Sequence, residues 1–158
     1  DRTLIEETAD RTGVSVEDVR SSEERRGRGR LYFGGIPAPN PLFQSQSEVI
    51  LDLASQGPCV FVGRCADYVL RGRDDVVNVF ITAPVEDRIR RSAQRNGISE
   101  REAGERVAST DRDREEYYRR YTGRAWGSVS NYDISIDTGR IGVENAARLV
   151  LEYIGMRS

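Results

Sequence analysis

The sequence predicts an α/β protein, a parallel sheet flanked by helices on both faces, and three observations predict it. Short apolar runs recur at 59–63, 76–82 and 132–138. Apolar residues at helical spacing follow each run. The residues between them are ones that start and stop helices. Continuous apolar runs of this length suit strands covered on both faces. Strands that alternate with helices imply crossover connections, and hence parallel neighbours in a doubly wound sheet.

The elements follow in order. Leu4, Ile5, Thr8 and Ala9 form a helical stripe, and Ser15 with Asp18 opens a second short helix in a capping-box-like pattern. From about 21 to 41 the chain turns to glycine, proline and arginine, which predicts a mobile, substrate-side flap. Leu42, Gln46, Val49, Ile50 and Leu53 return to helical spacing until Gly57. Strand 59–63 comes next, then a short helix at Ala66–Leu70, then strand 76–82. Pro84 sits where a helix tolerates proline, with Val85, Ile89 and Ala93 inward and Gly97 as the stop. Ser99 and Glu102 form a capping box for a long helix carrying Ala103, Val107, Tyr117 and Tyr121. A third strand spans 132–138, and after Gly142 a closing helix turns Val143, Ala147, Val150 and Ile154 inward.

The chain of 158 residues is read as one domain over 1–158. Its net charge of -2 gives no basic excess, so a nucleic-acid partner is not expected. It contains no histidine, and every cation is arginine. Histidine acid–base chemistry, histidine metal sites and lysine Schiff bases are thereby excluded. Arginine offers instead a rigid two-pronged fork for phosphate. Cys59 and Cys65 match no zinc or redox spacing, Cys59 reads as a small core residue, and no metal site is expected. No apolar run approaches the ~20 residues of a membrane span. A cytoplasmic protein with no membrane partner is the expectation.

Three arginine clusters could carry chemistry. Gly63-Arg64 follows a strand and opens a helix, the place where open parallel sheets bind ligands. Arg88 and Arg91 share one face of the helix after the second strand. Asp111-Arg112-Asp113-Arg114 lies in the long helix. Taken singly, a surface turn or a solvated helix face accounts for each of them. Arginines gathered on one cleft would repel unless an anion lay between them, and a polyphosphate is the natural candidate.

The order GRCADY, apolar strand, APVEDRIRR, NGIS, TDRDREEYYRRYTGRAWG, YDISIDT and GVENAARLV resembles the cytidylate kinase-like family of P-loop nucleoside-monophosphate kinases, from Gly57 to Ile154. The resemblance implies a three-layer α/β/α fold with a helical lid at about 97–127. It implies phosphoryl transfer from ATP, with Mg²⁺, to a small-molecule nucleotide of the cytidylate kind. It places Arg64 and Asp67 on the acceptor side, Arg88 and Arg91 at ATP, and Arg112, Asp113 and Arg114 in the segment closing on the transferring group. Arg112 and Arg114 would act in catalysis and Asp113 in acceptor binding. The family opens with a strand and a glycine-rich loop ending in lysine, and this chain holds no lysine. The expectation is that this strand and loop precede Asp1 in the intact protein, and that the chain alone is inactive. A phosphate-binding or interaction domain without the loop is the alternative.

Overall fold

The apolar stripe at the start of the chain folds as helix α1 (Arg2–Thr12) in the computed structural model, which describes residues 2–13, 15–21, 32–33, 36–37 and 41–157. The chain divides into two units. One comprises Asp1–Arg73 with Asp113–Arg124, the other Asp74–Arg112 with Ala125–Ser158.

In the first unit α1 is joined by α2 (Val16–Ser21), α3 (Pro41–Gln56) and α4 (Ala66–Val69). Ile5, Ala9 and Val19 form a buried cluster against which Leu42 packs. Val49 and Ile50 of α3 are fully buried, as their spacing requires. Thr8, also buried, satisfies its hydroxyl on the Leu4 carbonyl at 2.7 Å. Arg11 and Asp52 pair between α1 and α3, and the carboxylate raises the guanidinium above its ordinary pKa. Two short strands, β1 (Tyr32–Phe33) and β2 (Ile36–Pro37), pair antiparallel. The remainder of the expected flap lies outside the described residues.

The expected strand at 59–63 is not formed. The segment joins no ladder, and Val60 and Val62 are 85% and 69% exposed. Cys59 is exposed too, and is not a core residue. Apolar composition records what a segment would bury, while a strand also needs a neighbour's backbone. Among the described residues none pairs with it. An open depression of about 450 Å³ beside it is lined by Leu4, Leu53 and residues 56–61, and by none of the candidate arginines.

In the second unit β3 (Val79–Thr82) and β4 (Ile134–Asp137) pair parallel, with Val79 opposite Ile134 and Thr82 opposite Asp137. Pro84 and Gly97 bound α5 (Val85–Asn96) as predicted. The capping box opens α6 (Glu100–Thr122): the Ser99 hydroxyl oxygen accepts the Glu102 N–H at 3.2 Å. Ala103 is fully buried. From Asp113 onward α6 counts with the first unit. There Phe43 of α3 stacks on Tyr121 at 4.2 Å, and Tyr117 donates to the buried Gln46 at 3.2 Å.

Helix α7 (Thr138–Arg157) is interrupted at Gly142, with φ 79° and ψ 168°, so its main run starts where the sequence places it. Its predicted inner face is not buried: Val143 and Ile154 are exposed, and Ala146 is the residue packed inward. Helical spacing fixes which residues share a face, but burial needs an opposing surface. The described residues are thus mostly helical, with a small parallel sheet that contains two of the three expected strands, which is compatible with an α/β protein.

Candidate functional site

The segment after the exposed run 59–62 makes a tight turn. Gly63, Arg64 and Cys65 have φ values of 71°, 58° and 54°. Glycine takes this left-handed conformation freely, whereas each L side chain there costs about 1–2 kcal/mol. The turn is held locally by Ala66 N–H to the Gly63 carbonyl at 3.1 Å and Val69 N–H to the Cys65 carbonyl at 2.9 Å. The chain drops at once into α4 and buries Arg64 (4% exposed), Cys65 and Ala66. Both terminal guanidinium nitrogens of Arg64 are out of solvent. The structure thus encloses the Arg64 side chain.

Asp67 lies in the first turn of α4 and accepts a 2.5 Å hydrogen bond from the hydroxyl of Tyr118, which is buried on α6. On the same unit the Arg71 guanidinium sits 3.9 Å from the Tyr68 ring centroid, and that of Arg124 lies 5.4 Å from it. These are cation–π distances.

The second unit holds Arg88 and Arg91, both on α5. Arg88 donates to Asp111 of α6 at 2.5 Å, with both side chains about one-third exposed. Arg91 grips Thr138 twice, at its hydroxyl (3.2 Å) and at its carbonyl (3.1 Å). Thr138 in turn donates to the Thr82 carbonyl at 3.0 Å. This network lies at the carboxyl ends of both parallel strands, where ligands of open α/β sheets bind. Gly139 completes it: a Cβ there would lie 2.5 Å from Pro84 Cδ and 2.8 Å from Asp87 Oδ2.

Of the residues expected in a lid, Arg112 and Arg114 are exposed and Asp113 half-buried. The candidates therefore fall in two groups. Arg64, Asp67, Asp113 and Arg114 belong to the first unit, and Arg88, Arg91 and Arg112 to the second. No group of three or more potential metal-ligating side chains occurs among the described residues. No described helix is long and apolar enough to cross a membrane.

Sequence reasoning missed the partners of these residues. Tyr118, Asp111 and Thr138 are joined to Asp67, Arg88 and Arg91 across separations of 51, 23 and 47 residues. No local pattern reports such distances. All three stand inside the motifs TDRDREEYYRRYTGRAWG and YDISIDT, which is the only signal the sequence offers.

An α/β protein with arginines at strand ends and helix starts is the class these features define. The particular family follows: residues 1–140 match the model of the cytidylate kinase-like family, and the chain belongs to it. The match begins well before Gly57, so the opening helices are part of the likeness. The chain is 31% identical over 102 residues to a cytidylate kinase of Aeropyrum pernix, covering 65% of this chain and 59% of that protein. It is 32% identical over 107 residues to a cytidylate kinase of Ignicoccus hospitalis, covering 65% and 62%. The chain thus spans about three-fifths of the length of these curated relatives. The fold is shared with an uncharacterized protein from Eubacterium ventriosum (TM-score 0.73, 24% identity), over 98% of this chain and 90% of the other.

Proposed function

We propose that the intact protein transfers the γ-phosphoryl group of ATP to a nucleoside monophosphate of the cytidylate kind. Family membership supports the class of reaction. The observation that carries the acceptor side is the buried Arg64 on a strained turn directly before Asp67. Strain of this kind persists only where surrounding structure holds it, and it clusters at ligand-gripping sites. In this reading the sheet belongs to a three-layer P-loop fold with helices on both faces, the flap and lid close over the substrates, and the reaction runs in the cytoplasm.

Arg64 and Asp67 orient the acceptor, with Asp113 contributing from α6. Arg88 and Arg91 hold ATP. Arg91 suits this role, because its two bonds to Thr138 leave further N–H donors at the strand ends. Arg112 and Arg114, exposed on α6, neutralise charge on the transferring group. Mg-ATP, when bound, supplies the phosphoryl group. Magnesium takes one or two carboxylates and keeps several waters, so it needs no three-carboxylate cluster. Such transfers rely on positioning and electrostatics without a covalent intermediate.

A second reading is a nucleotide-binding domain without catalysis, one that lacks the glycine-lysine loop, favoured by the lack of lysine in this chain. Both are tested by a coupled assay on the full-length natural protein with Mg-ATP and each of CMP, dCMP, UMP and AMP. Turnover highest with CMP is expected. No turnover with any acceptor, together with measurable nucleotide binding, would establish the second reading.

A further inference from the structure

We infer that Tyr118 is a positioning residue. Its hydroxyl holds Asp67, and through α4 it keeps the left-handed 63–65 turn that presents Arg64. The inference rests on the acceptor-side reading of Arg64 given above.

Two non-glycine residues in succession, Arg64 and Cys65, have left-handed backbone. Short-range backbone bonds close the turn, running from Ala66 to Gly63 and from Tyr68 and Val69 to Cys65. Bonds inside a four-residue helix do little to resist unwinding, because helices this short are marginal on their own. α4 has no side-chain cap: its N-cap, Cys65, makes no side-chain hydrogen bond to the helix. A tie from outside is therefore valuable. Tyr118 supplies one from α6, a 2.5 Å bond to the Asp67 carboxylate with the phenol ring only 5% exposed. A phenol donating to a carboxylate is a charge-assisted bond, stronger than a neutral pair. Tyr118 itself is anchored, since neighbouring rings of the same helix, Tyr117 and Tyr121, pack on Phe43 of α3. Asp67 is three residues beyond Arg64, so a shift of α4 moves the turn with it.

The two cysteines provide a direct readout. Cys65 is 3% exposed inside the turn, while Cys59, six residues earlier, is exposed. An alkylating reagent reaches Cys65 only when the turn opens, and Cys59 calibrates the reagent in the same molecule.

The experiment compares the full-length natural protein with Tyr118→Phe, which keeps the ring, and with Asp67→Asn, which keeps the shape. Labelling by a maleimide is followed by peptide mapping, alongside a melting curve and calorimetric titration with CMP. In Tyr118→Phe the Cys65 rate should rise roughly tenfold relative to Cys59, and CMP binding should weaken by a similar factor. Asp67→Asn should raise the Cys65 labelling rate by less, because a neutral amide oxygen still accepts the bond; CMP binding is compared only between wild type and Tyr118→Phe, since Asp67 itself orients the acceptor. Labelling of Cys65 unchanged in both variants overturns the inference. Acceleration matched by an equal general loss of stability also overturns it, since Tyr118 would then be a core residue only. Faster labelling with unaltered CMP affinity separates the parts: Tyr118 then holds the turn, and the turn does not serve the acceptor. A wild type that binds no CMP at millimolar concentration instead removes the acceptor-side reading.

Discussion

Arg64 combines two costs that a protein rarely combines without use: a buried guanidinium and a left-handed backbone. Arg64→Lys keeps the charge and removes the fork. If Arg64 grips the acceptor phosphate, one lost charge-assisted contact of about 1.5–3 kcal/mol weakens CMP binding ~10- to 100-fold in the full-length protein. Because the side chain is enclosed, the melting temperature should fall as well. Equal CMP affinity in calorimetric titrations of the two proteins would remove Arg64 from the site. Gly139 makes a different kind of demand. A methyl group there would meet the rigid Pro84 ring at 2.5 Å. Gly139→Ala should destabilise by about 1–3 kcal/mol, read as a fall of several degrees in a melting curve. An unchanged melting curve would mean that the strand ends and α5 yield without strain.

Among the elements, Thr138 joins three of them: it begins α7, accepts Arg91 of α5 and donates to Thr82 of β3. Thr138→Val keeps the size and deletes the hydroxyl. It should cost about 1–2 kcal/mol, since one acceptor and one donor lose their partners. If Arg91 also serves ATP, the same change should loosen ATP binding measured by calorimetry, whereas an effect on melting alone would make Arg91 a latch. The elements that were legible in the sequence are those decided locally. Pro84, Gly97 and the Ser99–Glu102 box mark their helix ends because capping is settled within one turn. Strands 76–82 and 132–138 appear, shortened to Val79–Thr82 and Ile134–Asp137, because each has the other to pair with. The run at 59–63 has the same apolar look and no ladder, because pairing is a property of two segments. The closing helix fails in the same way: its spacing grouped Val143 and Ile154, which are exposed, while Ala146 is buried. The arginines of the site could be read from motif order. Asp111, which holds Arg88, and Tyr118, which holds Asp67, are fixed by tertiary contacts that no spacing encodes.

For the whole molecule, the decisive fact is chemical. The transferring phosphates of ATP carry charge that a catalyst must neutralise and hold in line, and in P-loop enzymes a lysine with its glycine-rich backbone does much of that work. This chain contains 24 cationic residues and every one is arginine. Arginine binds phosphate strongly but cannot reproduce a loop of backbone N–H groups closed around it. Among the described residues the parallel sheet has two strands, and Ile81 on β3 is half exposed. The chain of 158 residues is therefore expected to bind nucleotides without turning them over. The measurement is a coupled assay on this chain with Mg-ATP and CMP, dCMP, UMP or AMP, in parallel with calorimetric titration of CMP and ATP. Background rates with measurable binding are the expected outcome. Turnover by this chain alone would mean that the arginines of α5 and α6 perform the lysine's task, and the requirement for a glycine-lysine loop would fall.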